Sequence, residues 1–129
     1  NYVLSGKNYS PEPFEANDLT HSAIRYQAYR RLYETYPQLQ LGSPTNRWLA
    51  ESLDASEQAV MAAKHSEIPL LILQAEEDSI VENQAQDSAI GGLCQLQVIA
   101  NARHEIFMEC DTARNQALSS LVEFLESNA

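Results

Sequence analysis

Positive charge is scarce in this sequence: eight Lys and Arg stand against eighteen Asp and Glu, a formal net charge of −10. Phosphate backbones are held by clustered cations, so this balance excludes a general nucleic-acid binder, and it equally disfavours electrostatic adhesion to anionic lipid. No apolar stretch approaches the ~20 residues needed to cross a bilayer. No signal-peptide pattern is visible in the first residues, which open with Asn1 and not with Met. Two cysteines, Cys94 and Cys110, are too few for a disulfide framework and form no C-x-x-C pair. Free thiols in a reducing compartment are expected, with a single bridge as the alternative. Only four glycines are present, and none builds a phosphate-cradling loop. His21, His65 and His104 lie far apart and form no H-x-x-x-H pair, so no zinc motif is present. Asn8-Tyr9-Ser10 matches the glycosylation sequon, but that three-residue pattern is common by chance.

What is present suits a globular α/β domain. The 129 residues are 44% hydrophobic, which excludes intrinsic disorder despite the acidic balance. A folded monomer of this mass would leave about 6,800 Å² exposed. The start at Asn1 and the lack of a complete functional motif make the chain look like a piece of something longer.

Residues 1–17, with Gly6, Pro11 and Pro13, read as an irregular lead-in. Asp18 or Thr20 caps a predicted helix to about Tyr36, with Tyr26, Tyr29, Leu32, Tyr33 and Tyr36 on its apolar side. A second helix starts near Pro44-Thr45 and runs to about Lys64, with an interruption expected at Asp54-Ala55-Ser56. Its apolar side is Trp48, Leu49 and Leu53, and these aromatics are expected to be core. Leu70-Leu71-Ile72-Leu73 is a continuous apolar run, as in a strand covered on both faces of a parallel sheet. A helix from about Val81 to Ala89, stopped at Gly91-Gly92, leads to a second strand in which Cys94, Leu96 and Val98 alternate with glutamines. Asp111 caps a last helix with Leu118, Leu121, Val122 and Leu125 on one face. Strands joined through a helix imply a parallel sheet.

Functional groups in such sheets gather beyond the carboxyl ends of the strands. Asp78 follows the first strand and His104 the second. A carboxylate and an imidazole on neighbouring strand ends match a general base and its orienter. Glu76 and Glu77 adjoin Asp78 as alternative acids.

The runs Pro69-Leu70-Leu71-Ile72-Leu73-Gln74-Ala75-Glu76-Glu77-Asp78, with Val81 beyond, and Ala102-Arg103-His104-Glu105-Ile106 resemble the C-terminal half of serine α/β-hydrolases. Asn17-Asp18-Leu19-Thr20-His21-Ser22 and Gly42-Ser43-Pro44-Thr45 with Trp48 resemble the cap region of the bacterial lysophospholipase L-two family. That family is similar in turn to monoacylglycerol lipases, and the likeness spans about residues 17–127. The resemblance implies an α/β fold in which residues 18–66 are cap or lid helices. Residues 67–129 would be the last two parallel strands of the hydrolase core and their helices. It implies Asp78 as triad acid and His104 as triad histidine, with no metal or organic cofactor. The implied reaction is cleavage of a lysophospholipid acyl ester, in the cytoplasm or at the periphery of a bacterial inner membrane. Asn101 stands where the family usually has glycine; asparagine tolerates the left-handed conformation better than most residues.

The nucleophile elbow G-x-S-x-G is missing from these 129 residues, so they are expected to be inert alone. Arg25, Arg30, Arg31 and Arg47 are the one basic concentration, and Arg30, Arg31 and Trp48 are candidates for contact with an anionic headgroup or the lipid. The alternatives are a monoacylglycerol lipase or esterase, or a non-catalytic protein-interaction module. Two strands without a larger sheet would leave apolar side chains and backbone uncovered, so self-association of the piece is expected.

Overall fold

The computed structural model describes residues 1–129. In chain order it comprises α1 (Ala23–Thr35), α2 (Asn46–Lys64), β1 (Leu70–Ala75), α3 (Asn83–Asp87), β2 (Cys94–Ile99) and α4 (Asp111–Ser127). Short 3₁₀ turns occur at Phe14–Ala16, Pro37–Leu39 and Ile106–Met108. The two strands pair in parallel, from Leu70 opposite Cys94 to Ala75 opposite Ile99. Parallel strands need a long crossover, and residues 76–93, with α3 inside them, provide it. Between α3 and β2, Gly92 takes a left-handed φ of 54° and lets the chain reverse tightly into Cys94.

Helix starts are set by side-chain oxygens, and they differ from the expected ones. Ser22, not Asp18 or Thr20, caps α1 by accepting from the Arg25 N–H. Thr20 is occupied elsewhere: its hydroxyl donates to the Met108 carbonyl and accepts from the Ser22 N–H. Thr45 caps α2 through the Trp48 N–H. Asp54-Ala55-Ser56 does not interrupt α2, which runs unbroken for 19 residues. Residues such as Asp and Ser are only weakly unfavourable inside a helix, and flanking Leu, Ala, Glu and Gln favour its continuation. The helix expected over 81–89 shortens to five residues. Asp111 is the first residue of α4 and not its cap; Cys110 holds that position without a capping side chain.

Packing corrects the expected core. Ala75, Ile99, Ala102, Ala113 and Ala117 form it, with Leu73 and Ile106 against them. It therefore lies under the carboxyl ends of the strands. α4 docks on it through Ala113 and Ala117, while Val122 and Leu125 of the expected apolar face are exposed. Of the tyrosines on α1 only Tyr26 is buried. α2 buries no residue, and Trp48 is 59% exposed. Leu70–Leu73 are half-buried only, so the strand that reads as covered on both faces is not so covered here. The total accessible surface is 9026 Å², roughly 2,200 Å² above the scaling expectation for this mass.

Candidate active site

The turns that follow β1 and β2 are built against each other. The Glu76 N–H donates to the Ile99 carbonyl, and the Glu77 N–H donates to the Ala102 carbonyl at 2.9 Å. The Glu76 side chain accepts from the Asn101 N–H at 2.9 Å, across the reversal where Asn101 holds φ 53°. The left-handed residue foreseen at 101 is thus present and carries an asparagine. Asn83 secures the other side by donating to the Ala75 carbonyl.

This scaffold brings Asp78 and His104 together. Asp78 Oδ2 lies 2.9 Å from His104 Nδ1, and Oδ1 lies 3.2 Å from it. The Ile80 and Val81 N–H groups also donate to Oδ1, at 2.8 and 3.0 Å. The Asp78 side chain is 4% exposed and that of His104 31%. Burial pushes the Asp78 carboxyl up, but the Val81 N–H, His104 and the Ile80 N–H outweigh it and hold it below the ordinary aspartate value. Ionised Asp78 fixes the proton of His104 on Nδ1. His104 Nε2 is then the basic nitrogen, and it makes no hydrogen bond within the chain. The neighbouring acids are committed elsewhere, Glu76 to Asn101 and Glu77 to His21.

Asn17-Asp18-Leu19-Thr20-His21-Ser22 wraps the His104 turn. The Leu19 carbonyl accepts from the Glu105 N–H, the Asn17 carbonyl from Arg103 Nη1, and the Met108 carbonyl from the Thr20 hydroxyl. Glu109, fully buried, accepts at Oε1 from the Arg103 N–H, the His21 N–H and His21 Nδ1, and at Oε2 from the Cys110 N–H. Burial raises the Glu109 carboxyl, and these donors more than reverse it, so it stays ionised below its ordinary range. Sequence reasoning missed Glu109. A lone acid after Ile106-Phe107-Met108 carries no periodic or spacing signal, and its donors are mostly backbone.

Beside Glu105 opens an apolar cavity of about 250 Å³ lined by Leu19, Thr20, Tyr26, Tyr29 and Met108. Burial, then the neighbouring Tyr33 hydroxyl, raises the Tyr29 phenol, which stays neutral. The remaining candidates do not join the pair. Arg30 donates to the Tyr9 hydroxyl at 2.7 Å and lies over its ring. Arg31 is exposed on α1, Arg47 pairs loosely with Glu51 along α2, and Arg25 is tied to Asp111 and the Glu109 carbonyl. Trp48 borders a different hollow, with Tyr2 and residues 41–45. The basic concentration read from the sequence is therefore dispersed over separate partners.

A family model described as "Serine aminopeptidase, S33" matches residues 4–111. Among individual proteins, the chain is 35% identical over 136 residues to lysophospholipase L2 of Escherichia coli strain K12, covering 95% of this chain and 39% of that protein. It is also 35% identical over 126 residues to a probable lysophospholipase L2 of Haemophilus influenzae, with 96% and 40% covered. The chain thus spans about two-fifths of the length of these relatives.

Proposed function

The chain belongs to the serine aminopeptidase S33 family, and from its Asp78–His104 pair and its likeness to lysophospholipases L2 we propose that it supplies the acid and histidine of a lysophospholipase. A serine outside these 129 residues is the nucleophile. His104 Nε2 accepts the serine proton as the serine oxygen attacks the acyl carbonyl, then returns it to the departing alcohol oxygen of the glycerophosphodiester. Water then attacks the acyl-serine with the same base, and the fatty acid leaves. Asp78 keeps His104 in the productive tautomer and stabilises the imidazolium formed at each transfer.

The observation that carries this reading is the 2.9 Å Asp78–His104 Nδ1 bond with Nε2 unengaged, in a chain whose relatives bear the lysophospholipase name. The apolar cavity beside Glu105 receives part of the acyl chain, and the exposed apolar sides of α1 and α2 serve as lid. Arg30 and Arg31 meet the phosphodiester. No metal or organic cofactor enters the reaction. Two free cysteines favour a reducing compartment, the cytoplasm, with peripheral contact to the inner membrane where the substrate resides. No helix is long and apolar enough to cross a membrane. Taken alone, the 129 residues self-associate through their uncovered sheet.

The test is hydrolysis of lysophosphatidylcholine and of monoacylglycerol by the full-length protein and its His104→Ala variant. Loss of fatty-acid release in the variant supports the reading, and full activity refutes it. A preference for monoacylglycerol would reassign the substrate to neutral esters.

A further inference from the structure

Asp78–His104 is not the only carboxylate–imidazole contact near the strand-end turns. His21, in the segment before α1, makes two more. Its Nδ1 lies 3.0 Å from Glu109 Oε1 and its Nε2 3.3 Å from Glu77 Oε2. Glu77 immediately precedes Asp78. Glu109 Oε1 also accepts from the N–H of Arg103, which immediately precedes His104. A continuous chain of polar contacts therefore runs from the residue before the histidine, through Glu109 and His21, to the residue before the acid.

We propose that Glu109 is a positioning residue, which through Arg103 and His21 sets the His104 turn against the Asp78 turn. The inference rests on the hydrolase reading for its kinetic consequence, though not for its geometry. A buried carboxylate is costly to keep unless its lone pairs are filled, and Glu109, with no exposed surface, has four N–H donors. Two of those donors flank or precede the turn it closes, at Arg103 and Cys110. The other two belong to His21, 88 residues earlier, so the carboxylate ties the Asn17–Ser22 segment to the turn as well. Mere support of the 3₁₀ turn at Ile106–Met108 would need only the local donors. The His21 side chain, reaching on to Glu77, is what makes the arrangement specific to the relation between Asp78 and His104.

The expected size follows from how steeply catalysis depends on placement, since about 1 Å of misplacement lowers turnover about 10²-fold. In the full-length protein, Glu109→Gln keeps the size but has one acceptor oxygen where four donors converge, so its NH2 group must face either the Cys110 N–H or the Arg103 and His21 donors and push the side chain out of its place between the turns. It is expected to lower kcat on lysophosphatidylcholine about 10²-fold while KM changes less than about twofold. The downfield proton resonance of the His104 Nδ1–H held by Asp78 should broaden or vanish. His21→Ala should act in the same direction. His21→Asn, whose amide can replace Nδ1 toward Glu109, should recover part of the loss and the resonance.

A folded Glu109→Gln with unchanged kcat and an intact His104 resonance overturns the proposal. If Glu109→Gln does not fold, His21→Ala decides: unchanged kcat and resonance overturn the proposal, and loss of both restored by His21→Asn supports it. If His104→Ala proves fully active, the hydrolase reading fails, and the resonance in the Glu109 and His21 variants alone then settles the positioning.

Discussion

Asp78 is held ionised by three donors against its burial, and this carries two predictions at the scale of single residues. In the full-length protein, Asp78→Asn should lower turnover about 10⁴-fold, because an amide no longer dictates which nitrogen of His104 holds the proton. Glu77→Gln should fall far short of that, since Glu77 faces His21 instead; a larger loss in Glu77→Gln than in Asp78→Asn would move the acid by one position. The second concerns acid. Asp78 and Glu109 both titrate below their ordinary values in the folded chain. Through that range the unfolded chain binds more protons than the folded one, so stability rises with pH there. The contribution is complete above the unfolded carboxylate values and is lost as pH falls through the depressed, folded ones. Thermal melts of the full-length protein between about pH 6 and pH 3 should show a falling Tm, with a shallower fall in Glu109→Gln. Equal slopes would mean that the Glu109 network adds nothing on ionisation.

At the scale of elements, starts and turns depend on single side chains, and those are testable separately from chemistry. Ser22→Ala removes the oxygen that accepts from the Arg25 N–H and should destabilise by about 1 kcal/mol in denaturant melts. Asn101→Val forces a β-branched side chain into φ 53° and should be worse, whereas Asn101→Gly should be tolerated. Asn101 also shows what was legible in the sequence. The resemblance to a family that usually has glycine at this position, together with the tolerance of asparagine for left-handed backbone, was enough to expect the turn. Leu70–Leu73 and the Cys94–Val98 alternation likewise sufficed for two parallel strands, whose ends drew attention to Asp78 and His104, while their pairing as acid and histidine was expected from the resemblance. The α1 cap was not legible, because Asp18, Thr20 and Ser22 are all good capping residues. The choice fell to Thr20 being drawn away by the Met108 carbonyl, 88 residues distant. Glu109 was invisible for the same reason: its partners are backbone groups that only the tertiary fold assembles. The apolar face of α2 was read correctly as apolar and wrongly as core, since periodicity gives a helix its face without saying what covers it.

At the scale of the whole molecule, two properties remain to be tested, the spread of basic side chains and the excess of surface. Replacing Arg30 and Arg31 by Gln in the full-length protein should weaken use of lysophosphatidylcholine more than of monoacylglycerol, because only the former offers a phosphate. Equal effects would leave Arg30 with its Tyr9 contact as its sole role. The surface prediction follows from the sheet. Two strands are paired along one edge each, so an outer edge of β1 and another of β2 remain unpaired. Around them, Ile80, Val81, Leu93 and Val98 are exposed, as are Val122 and Leu125 on α4. Unpaired edges recruit further strands, and a two-stranded sheet is marginal even under helices. With an accessible area roughly 2,200 Å² above that of an ordinary monomer of this mass, the 129 residues prepared alone should associate. The net charge of −10 opposes that association at low salt and is screened as salt rises. Light scattering at micromolar concentration should therefore report a mass above 14.4 kDa that increases with ionic strength. A monomer at every salt concentration would refute the prediction and would mean that α1 and α2 fold down over the sheet in solution.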